Sequence, residues 1–267
     1  MLRQALLGPL LGGAALLAVQ GAPALAGQPA GPPPGPVHPA ATPKGNYAAL
    51  NNLPDWGGVW IVAPQRRAPG DPPPETTTPK GQYLERYNRM KAIAEANDGE
   101  YPRVASTCTT PGEPYLASLG QYPTEWLFTP GRVTVLHEET VGERRIYTDG
   151  RGHIPADDLE LSYGGDSIGH WEGETLVVDT IGLKPSNQIS PGVFATPKTR
   201  LMERIHLDPA DKDLLVDEIT VVDEDMLERP YHQTVKYRRR RDLEILEYVC
   251  AENDRNQLRP DGRIGFN

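Results

Sequence analysis

From Glu125 onward the chain is a succession of short segments rich in Val, Ile, Leu, Thr and Tyr, separated by turn signals rather than by helices. The segments are 126–128, 132–138, 144–148, 167–172, 175–183, 200–208, 214–222, 231–240 and 243–250. Pro130-Gly131, Gly142-Glu143, Gly173-Glu174 and Arg241-Asp242 are hairpin-sized connections. Hairpins in series, with no helix between them, predict an antiparallel meander. A further strand is expected within 55–62, where Trp56 and Trp60 sit among β-branched residues. About eight to ten strands are enough to close a lipocalin-like barrel, and closure removes the edges that a long meander would expose. A two-sheet β-sandwich is the alternative architecture.

The N-terminal third reads differently. Arg3 precedes an apolar run from Ala5 to Val19, and Ala24-Leu25-Ala26 follows, the order of a secretory signal over residues 1–26. Gly8, Pro9, Gly12 and Gly13 interrupt that run and leave it short for a membrane span. Removing it takes the net charge from −9 to −10. That acidic balance argues against a nucleic-acid groove, which needs surplus Lys and Arg. Residues 27–54 are Pro-rich and predict a disordered tether, so the folded domain is expected over 55–267. One helix is expected at 79–97, with Thr78 as N-cap, Pro79 in the first turn and Gly99 beyond the end. Its Tyr83, Tyr87, Met90 and Ala94 share one face and should pack inward.

The chain holds two cysteines, Cys108 and Cys250. In an oxidising compartment, two cysteines with no neighbouring ligand residues most often pair, so a Cys108–Cys250 disulfide is expected in a periplasmic or secreted protein.

Alternation sorts the strand residues between two faces. Glu203 shares its row with Leu201, Ile205 and Leu207, and Glu218 shares its row with Leu214, Val216, Thr220 and Val222. Core-facing carboxylates need a partner or a proton-transfer role. The densest polar stretch runs from Arg144 to His153. Within it, Tyr147, Asp149 and His153 are candidate acid–base groups, while Arg145 and Arg151 could hold a substrate's carboxylate or enolate. A second stretch, Asp166 to Thr180, reads as a hairpin turning at Gly173-Glu174. It adds His170 as a candidate catalytic group and Trp171 as a substrate contact. Gly165-Asp166-Ser167-Ile168-Gly169 spells Gly-x-Ser-x-Gly, but a nucleophile elbow needs a strand-to-helix turn, and a strand follows here. No ligand pair has zinc-type local spacing, so no metal is expected.

Several of these runs together resemble a family of uncharacterised exported proteins common in proteobacteria and acidobacteria. They are Tyr122-Pro123-Thr124-Glu125-Trp126, Thr129-Pro130-Gly131, Arg144 to Arg151, Ser167 to Thr180, Glu203-Arg204, and Tyr248 to Asn253. The resemblance spans Tyr122 to Asn253, about half of the chain. Where these relatives carry His-Pro after Arg151, this chain reads Gly152-His153-Ile154-Pro155. The resemblance implies export and transfers no catalytic roles.

With no dinucleotide fingerprint or phosphate loop, no cofactor is expected. The reading is an exported barrel acting on a small organic molecule as a cofactor-independent lyase, isomerase or hydrolase. Tyr147, Arg151, His153, His170 and Glu203 are expected to line one pocket that accepts an uncharged or anionic molecule. A non-catalytic lipocalin-like ligand-binding protein is the alternative, and convergence of those groups in a single cavity separates the two.

Overall fold

The barrel closes. Nine strands, β1 (Val59–Val62), β2 (Thr124–Thr129), β3 (Arg132–His137), β4 (Gly142–Tyr147), β5 (Asp166–Glu172), β6 (Thr175–Ile181), β9 (Arg200–Leu207), β10 (Leu214–Val222) and β11 (Tyr231–Arg240), form its wall. The order round the wall is β1-β11-β10-β9-β6-β5-β4-β3-β2, with β2 paired back onto β1. Two short strands, β7 (Gln188–Ser190) and β8 (Val193–Phe194), form a separate hairpin in the connection from β6 to β9. This computed structural model describes residues 43–64, 75–101, 108–120, 122–139 and 142–249, together with the small strands Gln257–Leu258 and Ile264–Gly265. The described residues fall within one unit, Val37–Asn267. No helix among them is long and apolar enough to cross a membrane.

Two features of the expected meander are corrected. First, β4 and β5 run parallel, with Ile146 opposite Ser167 and Tyr147 opposite Ile168. Parallel neighbours need a crossover rather than a hairpin, and the long connection after Tyr147 provides one. The barrel is therefore mixed. Second, residues 243–249 form no strand. Their β-prone composition finds no edge to join, because β1 already occupies the free side of β11, from Val59 opposite Arg240 to Val62 opposite Tyr237.

The helix α1 spans Tyr83–Glu95, inside the expected range but without Thr78 as its cap. Gly81 stands at φ 57° and the Lys80 N–H donates to the Met226 carbonyl, so the chain turns before the helix begins. The C-terminal end is as expected: Gly99, at φ 87°, donates its N–H to the Ala94 carbonyl. Tyr83 and Tyr87 pack against the core and Ala94 is buried. Within the segment expected as a tether, Tyr47–Asn52 forms a 3-10 helix, capped by the Asn46 side chain accepting from Ala49 N–H. Residues 1–42, with the expected signal and most of the Pro-rich stretch, lie outside the described residues.

Inside the barrel, Trp60, Ile146, Leu176, Leu201, Ile205, Leu215 and Val221 are fully buried. Trp56, Trp126, Phe128 and Trp171 form an edge-to-face aromatic cluster, with centroids 5.3–5.6 Å apart around Trp56 and between Phe128 and Trp171.

Candidate functional site

The strand pairing decides which candidate residues meet. Along β9 the buried row is Leu201, Glu203, Ile205 and Leu207, as its alternation implies. On β4 the inward pair is Arg144 and Ile146, and on β6 it continues through Leu176, Val178 and Thr180. Arg144 and Glu203 therefore meet inside the barrel. The guanidinium grips the carboxylate at both oxygens, with Nη1 donating to Oε1 at 2.8 Å. It also donates to Ser167 Oγ at 3.2 Å and Thr180 Oγ1 at 2.8 Å. Ser167 and Thr180 share a further hydrogen bond of 2.8 Å. Ser167 is thus a buried partner of Arg144 and Thr180, on a strand and not at a strand-to-helix turn.

Three more ionisable groups join this interior. His137, the last residue of β3, lies on the buried row with Val133 and Val135, and its Nε2 is 3.4 Å from Glu113 Oε1. Asp217 is buried on β10, where Glu218 faces out. This overturns the expected inward position of Glu218. Leu214, Leu215 and Val216 place apolar residues on both faces, so alternation alone could not fix the phase, and pairing of Asp217 with Ile205 and Val235 does.

The interior charges pull one another's protonation apart. Burial pushes the Glu113 carboxyl up, but His137, Arg144 and the Ala117 backbone outweigh it, so Glu113 is held below the usual carboxylate range. Burial dominates at Asp217, and the negative Glu203 and Glu113 add to it against the opposing pull of Arg144. Asp217 is therefore raised well above the ordinary aspartate value, and its neutral form is favoured. Burial also tends to lower Arg144, but Glu203, Glu113 and Asp217 raise it further still, so it remains a cation. The same burial and carboxylates push the Tyr237 phenol up, and its hydroxyl donates to the Ala117 carbonyl at 2.8 Å. Two neighbouring acids with opposite shifts are the arrangement that lets one donate and one accept a proton.

Asp217→Asn mimics the protonated carboxyl and gives a signed expectation. A raised carboxyl contributes stability that is present below its unfolded value of 3.8 and is lost as pH rises through its folded value. Thermal melts of wild type and variant should diverge as the pH rises above 3.8, the variant gaining up to about 1.4 kcal/mol per pH unit until Asp217 ionises. Parallel melting curves from pH 4 to 8 would contradict the assignment.

Of the remaining expected site residues, all but Trp171 lie on the outer side of the wall or in the loop beyond it. His170 is 66% exposed and sits 3.2 Å from Glu172, which also pairs with Arg204. Trp171 points the other way, into the aromatic cluster, so it is a core residue here. Arg145 is exposed beside Glu143. Arg151 stacks over the Tyr147 ring at 3.9 Å and grips Asp149 through Nε and Nη2, both at 2.8 Å. Asp149 also accepts from the Lys44 N–H at 3.0 Å, so this group pins the N-terminal segment over the β2–β3 turn. There Gly131, at φ 70°, leaves room for the Lys44 carbonyl, which a Cβ would meet at 2.2 Å. The Arg151 side chain, first among several causes, holds Asp149 well below the usual carboxylate range.

His153 places Nδ1 2.7 Å from Asp166 and Nε2 3.3 Å from Asp179, and Asp179 pairs in turn with Arg200. Asp166 also accepts from the Ile154 N–H at 3.0 Å. The structure thus divides the expected pocket. Tyr147, Asp149, Arg151 and His153 form one outer cluster, His170 stands alone on the outer face, and Glu203 lies within. His137 and Arg144 were open to detection, because each shares a strand row with buried aliphatics. Glu113, on a loop, offers no such signal. Among the described residues, no group of three or more His, Cys, Asp and Glu side chains could hold a metal ion.

In comparisons with known proteins, no family model and no curated protein matches the chain.

Proposed function

We propose that this chain is an exported barrel that binds a small, uncharged molecule rich in hydrogen-bond donors at the charged end of its interior. One observation carries the reading. Glu113 Oε2 and Asp217 Oδ1 are buried and make no hydrogen bond among the described residues. A buried polar atom without a partner costs about 1–3 kcal/mol, and such cost tends to be kept where function uses it. The indole N–H groups of Trp56 and Trp126 are buried and unpartnered too, so donors and acceptors are both on offer. Arg144 already donates to Glu203, Ser167 and Thr180, with its charge met by the Glu203 carboxylate, which disfavours an anion. The outer position of His170 and His153 removes the convergence that the enzyme reading first relied on, and binding takes precedence over catalysis.

Catalysis at the same interior place is the second reading, favoured by the opposite shifts of Asp217, raised, and Glu113, lowered. A thermal-shift screen of the mature protein against small polar metabolites tests both. Binding to the folded state raises the melting temperature. A true ligand should stabilise wild type and not Glu113→Gln, each measured against its own baseline. Equal shifts in both proteins would sink the interior site. Turnover of the ligand that disappears in Asp217→Asn while binding persists would select the catalytic reading.

Export is supported by the basic, apolar and small-residue order of residues 1–26, and we read Cys108 and Cys250 as a disulfide pair that suits an oxidising compartment. Cys250 lies outside the described residues. Thiol titration of the unfolded, non-reduced mature protein should find essentially no free thiol, and two free thiols would overturn the disulfide.

A further inference from the structure

We propose that a cleft between α1 and the β7–β8 hairpin binds a small aromatic carboxylate, gripped by Arg86. The cleft holds about 110 Å³, and Pro79, Tyr83, Val193, Phe194 and Met226 supply apolar walls. Arg86 is the cation in its lining. Its guanidinium lies 3.7 Å over the Phe194 ring centroid, which fixes the plane of the fork. Among the described residues it makes one hydrogen bond, a long one, from Nη1 to the Pro185 carbonyl at 3.4 Å. Among the described residues it has no ion-pair partner, whereas its helical neighbour Arg89 is paired with Glu85. Burial and the charge of Arg89 both pull Arg86 below its usual value, as expected of a cation lacking a counter-charge.

A guanidinium with free N–H edges matches a carboxylate in plane and spacing, which an ammonium would not. The walls then choose the rest of the ligand. A flat ring fits beside Tyr83 and Phe194, and the volume admits little more than one ring. This site shares no residue with the interior cluster, so the two can be tested separately.

Benzoate is the probe, titrated into the full mature protein and followed by NMR, with benzyl alcohol as the neutral counterpart. Saturable benzoate binding is expected at about millimolar Kd, as suits a ligand of this size. Arg86→Gln, whose melting temperature should match wild type at this exposed position, should weaken benzoate at least tenfold. Benzyl alcohol should bind wild type and variant alike, at least tenfold more weakly than benzoate binds wild type. Glu113→Gln should leave benzoate binding unchanged. No saturable binding, equal benzoate affinity in Arg86→Gln, or loss in Glu113→Gln alone would each overturn the proposal.

Discussion

Glu203→Ala should destabilise the protein by about 3–5 kcal/mol, the range seen when one member of a buried ion pair is removed. Both side chains of the pair are almost fully buried, at 4% and 1% exposure for Arg144 and Glu203. The substitution leaves a guanidinium inside the barrel with only two hydroxyls, Ser167 and Thr180, to hold it. Nearby Asp217 would then lose one of the negative charges that raise it. The matching double variant, Arg144→Met with Glu203→Leu, should recover most of the loss, because apolar groups of similar volume replace a pair whose attraction is largely spent on desolvation. Urea unfolding of the two proteins reads the difference. A Glu203→Ala protein that unfolds at the wild-type midpoint would show that the pair is solvated.

Arg239→Ala should cost a comparable amount, about 3–5 kcal/mol, for a different reason. Arg239 seals the point where β1 joins β11. Its side chain is 2% exposed and lies 4.5 Å over the Trp60 ring centroid. It donates to the carbonyls of Gly57 at 2.8 Å, Asp55 at 2.7 Å and Lys212 at 2.9 Å. It also pairs with Asp55 and Asp213. Truncation leaves these carbonyls without their donor, at about 1–3 kcal/mol for each that stays buried. Hydrogen exchange should show β1 amides opening first, since β1 has only four residues to hold it in the wall. Arg239→Lys keeps the charge but not the fork and should fall between. Uniform loss of protection across all nine strands would place the weak point elsewhere.

The barrel was legible because its signal is local. The turns at Gly131 and Gly173 and the alternation in β9 and β6 survive into the structure almost residue for residue, whereas the turn expected at Gly142-Glu143 falls inside β4. What was not legible depends on which strand lies beside which. On β5, alternation correctly sets Trp171 opposite His170, but it does not say which row faces in. The inward row is Ser167, Gly169 and Trp171, small at one end because β4 fills the space. A Cβ on Gly169 would meet the Ile146 side chain at 3.1 Å. A row of Ser and Gly reads as surface in a sequence, so His170 was placed inside in error. Arg144 and Arg145 look equivalent until Ile146 fixes the phase. The strand expected at 243–250 failed for a related reason: composition marks a segment as β-prone, and only closure shows that no edge is left.

These strands turn an unremarkable surface charge pattern into a buried one. Of the buried acidic groups, Glu113 and Asp217 carry the functional reading, and their opposite shifts follow from the charges and burial around each. The direct measurement is a carboxyl-carbon NMR titration of the folded protein with both residues assigned. Asp217 should titrate well above the usual carboxylate range and Glu113 below it. Two ordinary titrations near pH 4 would contradict the account, because they would mean that water, rather than the barrel's own charges, surrounds both groups.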